Sequence, residues 1–471
     1  MAEPEKAGQS MTSHPERSGA VVFVAGAAAL GGFLFGYDTA VINGAVDAIE
    51  TEFNLSSTVL GFVVSSALLG CAAGAWYAGP LADRWGRLRV MVVAASLFAI
   101  SAVGSALAVG PVSLTFWRLV GGFAIGAASV IAPAYIAEIA PADIRGRLGS
   151  LQQLAIVCGI FASLLVDYVI ADVSGGASGE APWGGTAWRW MFASALLPAL
   201  VYGVLALQIP ESPRYLVKIK DLDGARRVLK RFVGGDVEVR LSEIVKSLAG
   251  GDQVVNLKSL RGPVLGLLPI VWVGILLSAF QQFVGINVIF YYSTTLWQAV
   301  GFTESDAMLT SVITSIVNIV TTLVAIALID RIGRKPLLLI GAAGMVLSLG
   351  TMAWAFSTAT GSGKDLVLGP LAGNAALVAA NVYVFAFGMS WGPVVWVLLG
   401  EMFNNKIRAT ALAVAAAAQW VANWLITVTF PPLSNVSLVL AYGLYTVFAL
   451  LALVFVFRAV TETRGRELED M

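Results

Sequence analysis

The sequence predicts an all-α membrane protein of twelve transmembrane helices, arranged as two six-helix halves that a cytoplasmic helical linker joins. The first observation is composition: 58% of the residues are hydrophobic, 12% are charged and the mean hydropathy is +0.82. Ordinary soluble domains are far more polar. The second is a recurrence of long apolar stretches, and the third is a set of motifs in the first half that reappears in the second.

The apolar stretches reach the roughly 20 residues that a helix needs to cross a bilayer. The predicted spans are 19–44, 57–80, 89–110, 112–136, 148–172, 187–209, 264–297, 304–329, 336–357, 370–402, 408–430 and 438–458. They divide the chain into an N-terminal half at 19–209 and a C-terminal half at 264–458, with polar tails at 1–18 and 459–471. The opening tail shows no cleavage site after a short apolar core, so we expect a cytoplasmic tail and not a signal peptide.

Basic residues indicate the orientation. With the N-terminus inside, 26 of the 29 Lys and Arg residues fall on the cytoplasmic side, all except Arg118, Arg189 and Lys364. Cytoplasmic loops of membrane proteins carry this excess. We therefore expect a multi-pass protein of the cell membrane with both termini in the cytoplasm. Cys71 and Cys158 fall inside predicted spans, where we expect packing and not a disulfide or a metal site.

The linker at 210–263 carries 11 Lys and Arg residues. Within it, 223–232 and 237–248 have the apolar periodicity of amphipathic helices. Short helices against the cytoplasmic membrane face are the prediction.

The halves repeat each other at their cytoplasmic loops. Asp83-Arg84-Trp85-Gly86-Arg87 follows the second span, and Asp330-Arg331-Ile332-Gly333-Arg334 follows the eighth. Glu138 precedes Arg145 by seven residues, and Glu401 precedes Arg408 by the same interval. Repeated halves that rock about a central site are how many carriers alternate access.

Topology alone also favours Arg and Lys at such junctions, and this remains an alternative for any single residue. The matched carboxylates favour cytoplasmic ion-pair networks, which we expect to form when the inner ends of the halves touch and to latch an outward-open state. The expected members are Asp83, Arg84, Arg87, Glu138, Arg145, Glu211, Arg214, Asp330, Arg331, Arg334, Glu401 and Arg408.

Several further motifs resemble those of the sugar porter family of the major facilitator superfamily over nearly the whole chain. They are Phe33-Leu34-Phe35-Gly36-Tyr37-Asp38-Thr39 in span 1, Arg118 with Gly121 and Gly122 in span 4, Pro210-Glu211-Ser212-Pro213-Arg214 after span 6, and Gln281-Gln282 with Gly285, Asn287, Tyr291 and Tyr292 in span 7. Thr461-Glu462-Thr463-Arg464-Gly465 after span 12 departs from the family pattern by lacking its proline. The resemblance implies the twelve-helix fold, a central sugar site and transport.

A sugar needs amide side chains for its hydroxyl groups and an aromatic wall for its C–H faces. Buried amides are costly without partners, and six lie in spans at positions that the resemblance assigns to the sugar: Gln153, Gln281, Gln282, Asn287, Asn318 and Gln419. Interhelical hydrogen bonding is the alternative explanation for any one of them. Gln152 is expected to face elsewhere. Ile160, two turns after Gln153, weakly favours a hexose such as glucose.

The resemblance also supplies aromatic candidates. Tyr291 and Tyr292 would close over the sugar from outside, or serve as interfacial tyrosines. Gly285 would let span 7 bend, and Ser390-Trp391-Gly392-Pro393 would break span 10. Trp396 is the expected platform beneath the sugar, with Phe387 and Phe35 as further contacts. Trp391 and Trp420 are expected to serve packing.

Asp38 and Arg118 are the candidates for proton coupling, since ionisable residues within spans are functional candidates. The only histidine, His14, is in the tail, so carboxylates would have to carry protons. An Asp38–Arg118 pair that forms and breaks would couple proton binding to conformation. A permanent structural brace is the alternative.

The sequence argues against an enzyme, because its spans lack the histidine, paired cysteine, clustered acid or Ser-Lys arrangements of intramembrane catalysis. The linker has no phosphate-binding Gly-Lys-Ser/Thr loop. No catalytic residue, metal or cofactor is expected. The expected partners are a small-molecule sugar, a proton as coupling ion and the lipid bilayer, with no nucleic acid, and the carrier is expected to function as a monomer. An uncoupled facilitative transporter and a non-transporting sugar sensor remain alternative functions.

Overall fold

Helices make up the regular structure of this chain. The computed structural model describes residues 15–139, 145–233, 236–249, 257–299, 301–360, 367–403 and 407–463, and it contains no β-strand in those residues. Twelve of its helical segments are long and apolar enough to cross a membrane. The predicted all-α membrane fold is confirmed.

The N-terminal half contains six spans built from seven helices, because Ala195 interrupts the sixth. The helices are α1 Pro15–Phe53, α2 Ser57–Trp85, α3 Arg87–Ala106, α4 Pro111–Ile139, α5 Arg145–Ser174, α6 Ala187–Ser194 and α7 Leu196–Gln208. α1 runs nine residues beyond the predicted end of the first span at 44, so its outer end is helical where the sequence becomes polar.

Three short helices follow: α8 Pro213–Lys218, α9 Leu222–Val228 and α10 Val237–Ala249, with a π-helical turn at Leu229–Val233. They bury a small apolar cluster of their own, made by Val217, Ala225, Leu229 and Leu241. Phe232 instead joins the core of the membrane bundle. The π-helical turn contacts α1 and α4, so these helices are attached to the N-terminal half.

The C-terminal half contains eight helices in six spans. They are α11 Pro269–Phe283, α12 Ile286–Ala299, α13 Glu304–Ile332, α14 Arg334–Ser357, α15 Pro370–Gly388, α16 Trp391–Met402, α17 Arg408–Val436 and α18 Leu438–Ala459. Both predicted breaks are confirmed. Span 7 divides at Gly285, whose φ of +86° favours glycine, and span 10 divides at Met389–Ser390.

The two halves pack along three helix pairs: α2 with α17, α5 with α13, and α1 with α12. The broken helices α11/α12 and α15/α16 lie in the C-terminal half beside these contacts. Because a broken helix exposes backbone carbonyl groups within the bundle, the candidate site is built around these two breaks.

Candidate functional site

A chain of amide hydrogen bonds links the two broken helices. Gln281 donates from Nε2 to the carbonyl oxygens of Trp391 (2.8 Å) and Gly392 (3.2 Å) at the start of α16. Its Oε1 accepts from Gln282 at 3.4 Å, and Gln282 Oε1 accepts from Asn287 at 2.6 Å. The structure therefore brings three predicted site residues together. Each amide has two donors and one acceptor oxygen with two lone pairs, so Gln282 and Asn287 keep donor and acceptor capacity for a ligand.

The other predicted amides are distributed around this chain. Gln419 on α17 has a buried Oε1 without a hydrogen-bond partner. Asn318 on α13 is 7% exposed and lies against Gly388 at the end of α15. Gln153 on α5 is half-buried. Gln152 lies against Gly32 of α1, in agreement with the prediction that it faces away from Gln153.

The predicted aromatic residues of spans 1 and 7 are buried or in contact with other rings. Tyr291 and Tyr292 are each 2% exposed, which argues against an interfacial position, and the Tyr292 hydroxyl donates to the Thr427 carbonyl at 3.1 Å. Phe35 of α1 meets Trp420 of α17 edge to face, with 5.7 Å between ring centroids. That contact joins the two halves. Trp420, assigned to packing from the sequence, therefore reaches a predicted site residue.

The candidates of span 10 separate into two environments. Phe387 is 8% exposed and lies beside Gly392. Trp391 is fully buried and donates from Nε1 to the Leu338 carbonyl at 3.0 Å, as its expected packing role requires. Trp396 is 45% exposed. Its ring is accessible for stacking. Among the described residues, no hydrogen bond or ring contact joins Trp396 to the amide chain.

Asp38 and Arg118 form an ion pair inside the N-terminal half. Arg118 Nη1 lies 3.3 Å from Asp38 Oδ1, and the side chains are 1% (Arg118) and 15% (Asp38) exposed. Arg118 also donates to the Val64 carbonyl at 3.3 Å, while its Nε has no partner. A guanidinium can bind a carboxylate through two parallel hydrogen bonds, and this pair uses one. The predicted pairing of Asp38 with Arg118 is therefore present, through one of the two hydrogen bonds that such a pair can form.

The outer ends of the halves are joined by polar contacts. Asn43 of α1 donates to Ser293 at 2.7 Å and accepts from the Thr294 N–H at 3.0 Å. One turn further out, Thr295 donates to Asp47 at 3.0 Å, and Glu304 accepts from the Ala177 N–H at 2.7 Å. We call Asn43, Ser293 and Thr294 the outer gate. In this structure its contacts are formed, so the two halves are joined there.

At the helix ends predicted to face the cytoplasm, each half contains a carboxylate–arginine network. Arg87 lies 2.9 Å from Glu138 and 3.2 Å from Asp83, and Arg334 lies 2.8 Å from Glu401. These pairs differ from the expected Glu138–Arg145 and Glu401–Arg408 spacing pairs. Each pair closes within one half and does not need the two halves to meet.

Glu211 completes the N-terminal network. Its carboxylate accepts from the backbone N–H groups of Arg87 (3.1 Å) and Leu88 (3.2 Å) at the start of α3, and Ser212 donates to Glu138. Burial raises the pKa of the Glu211 carboxyl, while the N–H groups of Ser212, Leu88 and Arg87 and the charge of Arg87 oppose the rise.

The C-terminal half repeats this arrangement with residues that the sequence analysis missed. Glu462 accepts from the N–H groups of Arg334 (3.1 Å) and Lys335 (2.9 Å), and Thr463 donates to Glu401 at 2.5 Å. Glu462-Thr463 therefore corresponds to Glu211-Ser212. The signal was present in the sequence, since an acid followed by a hydroxyl residue comes directly after the last span of each half.

The remaining network candidates are less engaged. The Arg84 carbonyl accepts from the Tyr215 hydroxyl at 3.3 Å, and its guanidinium forms no hydrogen bond with the described residues. Arg214 begins α8 and its N–H binds the Ser212 hydroxyl at 3.1 Å, and Arg331 is exposed near the end of α13. The side chains of Arg145, Asp330 and Arg408 lie outside the described part of the structure.

Comparisons with known proteins agree with this architecture. Residues 24–471 match the family model described as "Sugar (and other) transporter". The chain is 56% identical to a glucose transport protein of Synechocystis over 469 residues, covering 98% of this chain and 99% of that protein. It is 39% identical to the D-xylose-proton symporter of Escherichia coli K12, covering 94% and 93%.

Solved structures agree as well. The inward-open conformation of the xylose transporter XylE from E. coli superimposes with a TM-score of 0.80 at 38% identity, covering 95% of this chain and 98% of that one. Its partially occluded inward-open conformation gives 0.81 at 37% identity, covering 95% and 100%. A family match over nearly the whole chain, together with relatives of this identity and coverage, establishes that the chain belongs to the sugar transporter family and is a multi-pass membrane protein.

Proposed function

We propose that this protein imports a monosaccharide, glucose or a similar hexose, together with a proton. The buried Asp38–Arg118 pair is the observation that supports coupling most directly. A lone charge within the bilayer is costly, yet this pair is held by one hydrogen bond of 3.3 Å. A proton on Asp38 would remove its charge and release Arg118, and the two protonation states would then favour different arrangements of α1 and α4.

The substrate class follows from the site in the C-terminal half. Gln282 and Asn287 offer donors and acceptors together, and the Gln419 Oε1 is buried with no partner. Neighbouring hydroxyl groups of a sugar, which also donate and accept, satisfy such groups. Phe387 and the accessible Trp396 would supply aromatic surface for the C–H faces. Glucose is favoured over a pentose by the apolar Ile160 and by similarity to the glucose transport protein of Synechocystis.

The proposed transport cycle moves the halves about this site. Opening of the outer gate would admit sugar and proton, and its closure, as in this structure, would direct both toward the cytoplasm. The networks around Glu138 and Glu401 would act at the inner ends, with Arg145 and Arg408 as the residues that latch the outward-open state. We place the protein in the cell membrane with both termini in the cytoplasm, surrounded by lipid and acting as a monomer and not as an enzyme.

Uptake of labelled glucose into energised vesicles, with and without a protonophore, tests the proposal, with unlabelled xylose and galactose as competitors. Accumulation that the protonophore abolishes supports symport, and the competitors rank the sugars. Labelled glucose that only equilibrates across the membrane, at a rate the protonophore does not change, supports a facilitative transporter instead. An absence of uptake with retained sugar binding supports a sensor.

The Asp38→Asn variant assigns the coupling residue. Asparagine keeps the size of the side chain and cannot lose or gain the proton, so uphill accumulation should disappear while exchange of labelled for unlabelled sugar persists. Accumulation that survives in this variant would show that Asp38 does not carry the proton.

A further inference from the structure

Asp167 is a buried acid that none of the functions above uses. It lies on α5, 1% exposed, and neither carboxylate oxygen has a hydrogen-bond partner. The backbone of Gly44 on α1 is the polar group that approaches it. A Cβ atom at position 44 would lie 2.8 Å from the Asp167 Cβ, so the acid fits against α1 because residue 44 is glycine.

The surroundings supply no counter-charge. Tyr37 of α1 is the titratable group within electrostatic reach. On the helices that pack against α5, which are α1, α4, α6 and α13, the charged side chains of the described membrane-embedded and outer regions are engaged with other groups. These are Asp38 with Arg118, Arg189 with Glu52, Asp47 with Thr295, Glu304 with the Ala177 N–H and Asp306 with Thr303, and Glu50 of α1 is engaged as well.

The hydrogen bonds of Tyr37 leave it no proton to donate to Asp167. Ser194 donates its one hydroxyl proton to the Met191 carbonyl at 2.5 Å. The contact of 2.6 Å between the Tyr37 and Ser194 hydroxyls must therefore use the proton of Tyr37. Tyr37 therefore has no proton left to stabilise an ionised carboxylate at position 167. An ionised, unpaired carboxylate here would cost far more than the neutral form.

The position of Asp167 along the membrane suggests how it exchanges its proton. Gln153, Ile160 and Asp167 are spaced by seven residues, so they lie on one face of α5. Gly44 follows Asp38 by six residues, about 9 Å toward the outside at 1.5 Å per residue. Asn43 of the outer gate is the neighbour of Gly44. Opening of the gate would therefore bring external water to the residue next to Gly44.

We propose that Asp167 is a second proton-binding carboxyl, which takes up its proton from the outside while the outer gate is open and holds it as the neutral acid while the gate is closed. The inference deepens the proposed symport by adding a protonation site between the outside and Asp38. No covalent step is involved, since the proton moves from external water to the carboxylate oxygen.

Infrared spectroscopy of the purified, reconstituted protein at neutral pH tests the protonation directly. The C=O band of a protonated carboxylic acid should be present in the wild type and lost in Asp167→Asn. Asp172→Asn, which changes an exposed acid on the same helix, should keep the band. A band that Asp167→Asn leaves unchanged in intensity overturns the proposal, and so does a band that Asp38→Asn alone abolishes; a band that Asp167→Asn reduces and Asp38→Asn then removes contains both acids. Sugar-induced tryptophan fluorescence verifies that the variant is folded, and Asp167→Ser serves if asparagine prevents folding.

Sugar exchange as a function of external pH tests loading from outside. In the wild type, exchange should decline at alkaline external pH as Asp167 fails to regain its proton. Asparagine mimics the neutral acid, so Asp167→Asn should exchange sugar at alkaline external pH as fast as it does at neutral pH. Superimposable profiles overturn the proposal. Neither measurement requires the sugar to accumulate. Uptake that is insensitive to a protonophore would overturn the proposed symport, and the two results above would overturn this inference, so the two failures are distinguishable.

Discussion

Replacing Asn43 by alanine should shift the carrier toward an open outer gate. Asn43 makes two hydrogen bonds that exist only while the outer ends of the halves touch, to the Ser293 hydroxyl and to the Thr294 N–H. In the open state, water can satisfy the same groups. The substitution therefore penalises the closed state and leaves the open state almost unchanged.

The magnitude follows from the two bonds. A buried hydrogen bond contributes about 1 kcal/mol net, so the loss is about 2 kcal/mol. Ser293 keeps its contact with Ser311 at 2.5 Å, so the full penalty of an unsatisfied hydroxyl does not arise. About 2 kcal/mol changes the equilibrium about 30-fold, which would raise an open population of roughly 1% to about a quarter.

Distances between spin labels measure that population. Val173 at the outer end of α5 and Ser305 near the start of α13 are both exposed and lie in different halves, so Val173→Cys with Ser305→Cys reports their separation after Cys71 and Cys158 are replaced by serine. Asn43→Ala should add a population at longer distance. Thr51→Ala is the matched control, because Thr51 lies on the same helix and bonds only to Asp47 of α1 at 2.8 Å.

An unchanged distance distribution in Asn43→Ala would refute the reasoning, and so would an equal change in the Thr51→Ala control. The first result would mean that apolar packing of α1 against α12 holds the gate. The second would mean that any loss of a hydrogen bond in α1 loosens the half as a whole.

Two further predictions concern the cytoplasmic side. Arg145→Ala or Arg408→Ala should bias the carrier toward the inward-open state, since each removes a cation from the junction. Labelling of a cytoplasmic reporter cysteine should then become faster. Unchanged labelling would contradict the proposed latch. Gly333→Ala should lower stability in detergent by roughly 1 to 3 kcal/mol, because φ at residue 333 is +103° and the new Cβ would lie 2.8 Å from the Glu462 carboxylate. Thermal unfolding measures this, with Gly443→Ala, which has open space around it, as a control that should show little change.

Much of the fold was predictable because the bilayer imposes simple requirements. Apolar length indicated all twelve spans, and the glycine and proline signals at Gly285 and Ser390-Trp391-Gly392-Pro393 placed both helix breaks. Asp38 and Arg118 could be paired because the family resemblance brings spans 1 and 4 together, where opposite charges stabilise each other. Hydropathy, however, predicts only the part of a helix that lies in the membrane. The prediction therefore ended the first span at 44, whereas α1 continues to Phe53.

The side-chain partners were harder to predict because they depend on distances between helices. The matched spacing of Glu138 and Arg145 predicted an ion-pair network without its individual pairs, and the structure shows Glu138 paired with Arg87 from another helix. The amide chain also has a direction, from Asn287 through Gln282 and Gln281 to the α16 carbonyls, that depends on how two broken helices face each other. Asp167 was passed over because nothing in its neighbouring sequence shows that it lacks a partner.

The twin carboxylates Glu211 and Glu462 have a consequence for assembly. Each comes directly after the last span of its half and fastens a helix start in the middle of that same half. The hydrogen bonds that these carboxylates accept from helix starts therefore lie, in the described residues, within one six-helix half. The short helices between the units can then serve as a tether, and two separately made polypeptides, divided after α10, would each retain what they need to fold before they meet.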